Sequence, residues 1–118
     1  MKKIIFSYNW NFKLSGKSFT TIRLNGSYVV GDLVQVFLKK NILGVYEITA
    51  KKIIKLNDIN EWISRIDTGY SAEQCKDILK KMYSKEGKID WETQPIYFYL
   101  LSKHTFKIEQ IDLFDEEK

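Results

Sequence analysis

The first half of the chain is built from short runs in which apolar and polar residues alternate, the pattern of half-buried β-strands. Turn-type dipeptides such as Ser15-Gly16 and Asn25-Gly26 separate these runs. We therefore predict strands at residues 3–8, 19–24, 33–38 and 43–56. The last of these is long enough that we expect a bend or bulge near Ala50-Lys51. Short links between successive strands indicate an antiparallel barrel or sandwich.

After residue 56 the apolar period becomes that of a helix. One face of a first helix is predicted from residues spaced at i, i+3, i+4 and i+7, namely Ile59, Trp62, Ile63 and Ile66. Asn57 or Asp58 can cap the start of this helix, and Gly69 suits its end. The spacing predicts that the helix packs on the core through the apolar face.

A second helix has clearer boundaries. Ser71 and Gln74 have the spacing of a capping box at its start. The apolar residues that follow place Cys75 on the inner face, so we predict a buried and unreactive cysteine. After a loop, the apolar run at 96–101 is typical of a strand covered on both faces, and residues 105–114 could form one more strand.

Within the stretch LSGKSFTTIR, residues 14–23, the part from Lys17 to Arg23 combines two cations and three hydroxyl side chains and contains no acid. Such a set is poor material for a core and suits a polar or anionic ligand. Strand alternation puts Thr21 and Arg23 on one face and Thr20 with Ile22 on the other. We predict that Ile22 marks the core face, so that Thr21 and Arg23 face solvent or a cleft.

Composition indicates one domain, spanning residues 1–118, because the chain is short and 44% hydrophobic. The single Cys75 cannot form an internal disulfide, which fits a reducing compartment. The apolar run after Lys3 breaks at Ser7, so we expect no signal sequence and a cytoplasmic protein. No apolar run approaches the ~20 residues of a membrane helix, so we expect no membrane partner.

Charge is distributed unevenly between the two halves of the chain. Residues 1–55 carry a balance of +8, residues 56–118 a balance of −4, and the total is +4. A basic half can attract nucleic acid or a phosphate-bearing ligand through its summed field. The pairs Lys39-Lys40 and Lys51-Lys52 equally fit the lysines that guard turns and strand edges.

The order of these elements, together with several short motifs, resembles the ASCH domain family, a branch of the PUA-like β-barrels. The resemblance covers residues 3–103. It rests on Ser15 through Arg23, Tyr28 through Asp32, the helix pair that follows Asp67, and residues 98–101. It implies an α+β fold, a small PUA-like open β-barrel of five to six mostly antiparallel strands with two to three flanking helices. Residues 104–118 would then form a C-terminal strand or tail.

The resemblance also implies a function. Members of the family are regarded as RNA- or nucleotide-binding modules, and one bacterial branch looks like amidohydrolases that remove an acetyl group from modified cytidine. That branch uses a Lys, a Thr and an Arg from the glycine turn and the next strand, with a Glu from the helical segment. Carried over to this chain, the catalytic candidates are Lys17, Thr20, Thr21 and Asp67. The ligand-binding candidates from the same stretch are Lys17, Ser18 and Arg23.

This stretch can be aligned with the motif of the amidohydrolase branch in two ways. Thr21 and Arg23 match the Thr-x-Arg of the branch, but Ser18 then stands where the branch has its lysine. Lys17 and Thr20 keep the Lys-to-Thr spacing, but Arg23 is then out of register. Because both alignments depart from the pattern of the amidohydrolase branch, we rank ligand binding above catalysis as the function of this chain.

A second candidate cluster lies in the loop before the closing strand. Trp91 could stack a base and Glu92 could bond its edge, or Trp91 could simply cover the end of the barrel. One His and one Cys cannot supply a zinc site without several acids, and the chain has no glycine-rich phosphate loop. We therefore predict no metal and no cofactor.

Three functions remain open from the sequence. The first is a module whose basic cleft binds RNA, a nucleotide or a nucleoside. The second is an amidohydrolase that deacylates a cytidine nucleoside through Lys17, a threonine and Asp67. The third is a protein-interaction domain that uses the acidic half. A monomer is the expected oligomeric state.

Overall fold

The computed structural model describes residues 1–104, in which five strands and two α-helices form the fold. The strands are β1 (Lys2–Phe6), β2 (Ser18–Arg23), β3 (Leu33–Leu38), β4 (Asn41–Ile54) and β5 (Ile96–Lys103). The helices are α1 (Glu61–Asp67) and α2 (Ala72–Met82), with short 3-10 segments at Trp10–Ser15, Leu56–Asp58 and Ser84–Glu86. The strand expected at 105–114 lies outside the described residues.

The five strands form one sheet in the order β1-β3-β4-β5-β2. Neighbouring strands are antiparallel, except for β1 and β3, which are parallel. The sheet curves into a half-barrel, which confirms the predicted α+β class and its mostly antiparallel strands. The irregularity expected in the long strand is also confirmed, because the β4–β5 register shifts between Ile48 and Ala50.

The first helix differs from the prediction in its start and in its inner face. Asn60 caps α1 by accepting a hydrogen bond from the Ile63 amide at 2.9 Å. Ile59 and Ile63 lie inward as predicted, but Trp62 and Ile66 are 79% and 54% exposed, so half of the expected apolar face was wrong. The helix has only seven residues, and its fully buried positions are the polar Ser64 and Asp67. Because Ser64 and Asp67 bond to neighbouring elements, they decide which side of α1 faces inward.

The second helix begins where the sequence predicted. Ser71 and Gln74 form the capping box, in which the Ser71 hydroxyl accepts from the Gln74 amide and the Gln74 side chain accepts from the Ser71 amide. Cys75 is completely buried on the inner face of α2, as predicted. None of the helices among residues 1–104 is both long and apolar enough to cross a membrane.

Two apolar clusters form the core, one on each face of β2. The first fills the half-barrel and includes Phe6, Phe19 and Tyr99. The second lies between the sheet and the helices and includes Ile22 and Cys75. Strand β2 is therefore covered on both faces, and both Thr20 and Thr21 are buried.

Gly26, in the turn after β2, allows close contact with the Tyr97 ring. A Cβ on Gly26 would lie 2.3 Å from that ring. The Lys51 ammonium donates to the Gly26 carbonyl at 2.7 Å and lies 5.1 Å from the centre of the Tyr97 ring. Because Tyr97 also stacks on Tyr99, the ring has little room to move aside.

We predict that Gly26→Ala destabilises the protein by about 1–3 kcal/mol, the usual cost of overpacking. Urea unfolding followed by circular dichroism measures this change. Gly16→Ala is the matched control, since its Cβ would have no neighbour closer than 3.4 Å. An unchanged urea midpoint for Gly26→Ala would show that the turn adapts freely.

Candidate binding cleft

Lys13 enters the fold from the 3-10 segment Trp10–Ser15, which connects β1 to β2. Asn11 and Phe12 have φ angles of 57° and 53°, a left-handed kink that reverses the chain. The buried Leu14 follows the kink, and its amide donates to the Asn9 side chain at 2.9 Å. The kink and this anchor turn the Lys13 side chain toward the interior.

The Lys13 ammonium forms a buried ion pair with Asp67, the last residue of α1. Lys13 Nζ lies 2.9 Å from Asp67 Oδ1, and each side chain is only 7% exposed. Thr20, on β2, donates to the same oxygen at 2.9 Å. Asp67 Oδ1 thus links the 3-10 segment Trp10–Ser15, β2 and α1.

The other carboxylate oxygen of Asp67, Oδ2, accepts no side-chain hydrogen bond from residues 1–104. Asp67 also lines a cavity between β1, β2 and α2.

Arg23, at the end of β2, is the second cation of the cleft. Its Nε donates to the Thr21 hydroxyl oxygen at 3.1 Å, and its Nη2 donates to the Ile5 carbonyl at 3.2 Å. The guanidinium lies 4.6 Å from the centre of the Phe6 ring, and the Lys13 ammonium lies 5.4 Å from the same ring. Phe6 thus provides one aromatic face for both cations.

Burial changes the proton affinity of the groups around the cleft. Desolvation lowers the pKa of Lys13, and the pair with Asp67 opposes that change only in part. Desolvation also lowers the pKa of Arg23, which remains a cation because its ordinary pKa is so high. Burial raises the pKa of the Cys75 thiol, which fits the unreactive cysteine that the sequence predicted.

A cavity of about 70 Å³ lies between β1, β2 and α2. Its polar wall contains Lys13, Thr21, Arg23 and Asp67. Its apolar wall is formed mainly by Trp10, Ile22, Ile78, Leu79, Met82 and Tyr83. Ligand pockets usually measure roughly 300–1,000 Å³, so this cavity has room for the edge of a small planar group and not for a whole nucleotide.

The structure brings four of the predicted residues together and leaves four apart. Thr20, Thr21, Arg23 and Asp67 meet at or beside the cavity. Lys17 is exposed at the start of β2, and Ser18 pairs with Ser102 at 3.0 Å. Trp91 is partly buried against the second apolar cluster, and Glu92 is exposed. The roles assigned to these eight residues stay predictions.

Lys13 was missed in the sequence. Its only local signal is a cation between the apolar residues Phe12 and Leu14, where a surface turn would have more polar neighbours. The left-handed kink that turns it inward has no marker such as glycine. Among residues 1–104 no group of three or more His, Cys, Asp or Glu could hold a metal ion.

The half-barrel and the helix pair define a small α+β domain. No protein-family model matches the chain, and no curated protein matches it. A crystal structure of a point mutant of ZmASCH from Zymomonas mobilis matches 96% of this chain and 81% of that chain, with a TM-score of 0.53 and 17% sequence identity. At this identity the likeness concerns the fold alone, and it supports the resemblance to ASCH domains at that level.

We predict that Lys13→Ala destabilises the protein by about 3–5 kcal/mol, because it leaves a buried carboxylate without its cation. Urea unfolding measures the loss. The double variant Lys13→Met with Asp67→Leu should recover most of it, since both charges are then removed. Lys40→Ala, in an exposed turn, is the matched control and should change stability by less than about 0.5 kcal/mol. A loss below about 1 kcal/mol for Lys13→Ala would contradict a buried pair.

Proposed function

We propose that the cleft binds the polar edge of a pyrimidine nucleoside or nucleotide. The observation that carries this proposal is the mixture of hydrogen-bonding groups on one small cavity wall. Lys13 and Arg23 are donors, whereas Asp67 is an acceptor on the same wall, and its Oδ2 receives no side-chain hydrogen bond from residues 1–104. A pyrimidine edge presents carbonyl and ring-nitrogen acceptors next to an N–H donor, so it can satisfy both kinds of group.

A phosphate group fits the same wall less well. Phosphate oxygens accept hydrogen bonds and carry negative charge, so a site for phosphate uses donors and cations alone. The carboxylate of Asp67 would repel it at the cavity surface. The size of the cavity likewise favours the edge of one base over a longer segment of RNA.

Trp10 supports the proposal as a stacking face at the rim. Its ring lines the cavity and lies edge-on to Tyr8 and Tyr70, with centroid distances of 4.8 Å and 6.2 Å. Aromatic rings held in this way can stack a base without regard to its sequence context. The basic balance of residues 1–55 would help a polynucleotide or nucleotide approach.

We predict that cytidine quenches tryptophan fluorescence on binding and that Asp67→Asn weakens its affinity by about tenfold or more, the loss of one hydrogen bond to a charged group. Titration calorimetry measures the affinity, and circular dichroism confirms that each variant is folded. Lys40→Ala should bind cytidine as the wild type does. Equal affinity for Asp67→Asn and wild type, or no binding of cytidine at millimolar concentration, would refute the proposal.

A second candidate function, hydrolysis of an acyl group on the exocyclic amine of such a base, is favoured by Lys13 and Thr21. Burial lowers the pKa of Lys13, which raises the fraction of neutral amine that can act as a base. Thr21 accepts a hydrogen bond from Arg23 Nε, so its own hydroxyl proton points elsewhere and can be donated. Both side chains line the cavity.

Hydrolysis would proceed through an ester of Thr21. Neutral Lys13 takes the Thr21 proton while Thr21 Oγ1 attacks the acyl carbon, and Arg23 donates to the oxyanion that forms. The C–N bond then breaks, and the leaving nitrogen takes the proton back from Lys13. Water hydrolyses the Thr21 ester and releases the carboxylic acid.

We predict that N4-acetylcytidine is converted to cytidine and acetate, with a rate that falls about 100-fold or more in Lys13→Ala. Chromatography of the nucleosides measures the rate. Because the neutral amine is the active form, the rate should rise with pH through the lowered Lys13 pKa and then level off below the ordinary value of 10.5.

Three further variants make the assay decisive. Thr21→Val removes the hydroxyl and keeps the side-chain shape, so it should abolish turnover. Lys17→Ala should turn over at the wild-type rate, and the opposite result would return the role to Lys17. Lys40→Ala, outside the cleft, controls for the loss of a surface charge. Wild-type turnover in Thr21→Val would exclude the threonine mechanism.

A further inference from the structure

We propose that a groove beside the cavity binds the ribose of the ligand through Glu86, which selects a nucleoside over its 5′-phosphate. This inference rests on the proposed binding of a pyrimidine edge in the cavity. The groove measures about 410 Å³ and is lined by Arg23, Leu24, Asn25, Tyr28, Tyr83 and Glu86. Arg23 and Tyr83 line the cavity as well, so the two spaces are adjacent.

Arg23, which borders both spaces, has two of its three guanidinium nitrogens engaged. Its Nε and Nη2 donate to Thr21 and to the Ile5 carbonyl. Its Nη1 donates to no acceptor among residues 1–104, and Arg23 is partly exposed. Nη1 can therefore donate to a ligand oxygen at the junction of the cavity and the groove.

Tyr28 and Tyr83 form the apolar part of the groove. The Tyr28 hydroxyl is already engaged, since it donates to the Lys3 carbonyl at 2.8 Å, and its ring packs edge-on against Tyr99. Tyr28 therefore offers the groove carbon surface and no free polar group. Such surface suits the C–H side of a sugar ring, with Tyr83 opposite at the end of α2.

Glu86 is the one carboxylate on the groove wall among the described residues. It ends the 3-10 segment Ser84–Glu86, where its amide donates to the Tyr83 carbonyl at 3.1 Å. The 2′- and 3′-hydroxyls of a ribose can both donate to one carboxylate, in charge-assisted hydrogen bonds. A 5′-phosphate in the groove would instead meet a like charge. Lys85 lies beside Glu86 in the chain but is not part of the groove wall.

The test compares the affinities of cytosine, cytidine and cytidine 5′-monophosphate by titration calorimetry on the full chain. For the wild type we expect cytidine to bind about fivefold tighter than either of the others, which is what one modest hydrogen bond supplies. Glu86→Gln should reduce the advantage of cytidine over cytosine, and Glu86→Lys should make the monophosphate the tightest ligand. Glu73→Gln, an exposed glutamate on α2, is the matched control and should leave all three affinities unchanged.

The outcomes separate this inference from the function on which it rests. Binding of cytosine with no gain from the ribose would overturn the ribose site alone. The ribose site would also be overturned if the monophosphate bound tighter than cytidine to the wild type. The same holds if neither Glu86 variant changed the ratios of the three affinities. Failure of all three compounds to bind would overturn the pyrimidine site and the ribose site together. Because Glu86 is exposed, its variants should fold normally, so a changed ratio reports on the groove.

Discussion

The ion pair between Lys13 and Asp67 is the contact on which the cleft depends. It joins two positions that are 54 residues apart in the chain, one before β2 and one at the end of α1. A pair this deeply buried adds little net stability, because each ion gives up its water to form it. Apolar side chains of similar size could hold the same elements together. The pair is therefore better explained by the charged groups that it places on the cavity wall.

The carboxylate also makes it possible for two cations to share one small cavity. Lys13 and Arg23 repel each other, and that repulsion adds to the desolvation that lowers the pKa of Lys13. Asp67 offsets the repulsion, and the ring face of Phe6 attracts both cations. The result, among the described residues, is a cavity wall with two cations and a single carboxylate. Phe6 belongs to the barrel core as well, so the position of the cations is tied to the packing of the half-barrel.

The features that the sequence predicted correctly are local, whereas the features that it missed depend on contacts between residues far apart in the chain. The capping box at Ser71 and the irregularity near Ala50 follow from residues close in the chain, and both are present. The inner face of α1 could not be read from its apolar period, because Ser64 is held inward by hydrogen bonds to the carbonyls of Tyr70 and Ser71. Those bonds leave Trp62 outside, against the rule that the apolar side of a helix is the buried side.

Lys13 shows the same limit of prediction from sequence, and it suggests the physical reason for that limit. A sequence motif specifies which position in the chain carries a group. The cavity requires only that a group of the right kind reaches the right place. Asp67 reaches β2 directly, since Thr20 on that strand donates to its Oδ1 at 2.9 Å. Lys13 comes from the kinked segment before β2, and its flexible four-carbon stem places Nζ 2.9 Å from the same carboxylate. The segment that precedes the strand can therefore supply the cation as readily as the strand itself.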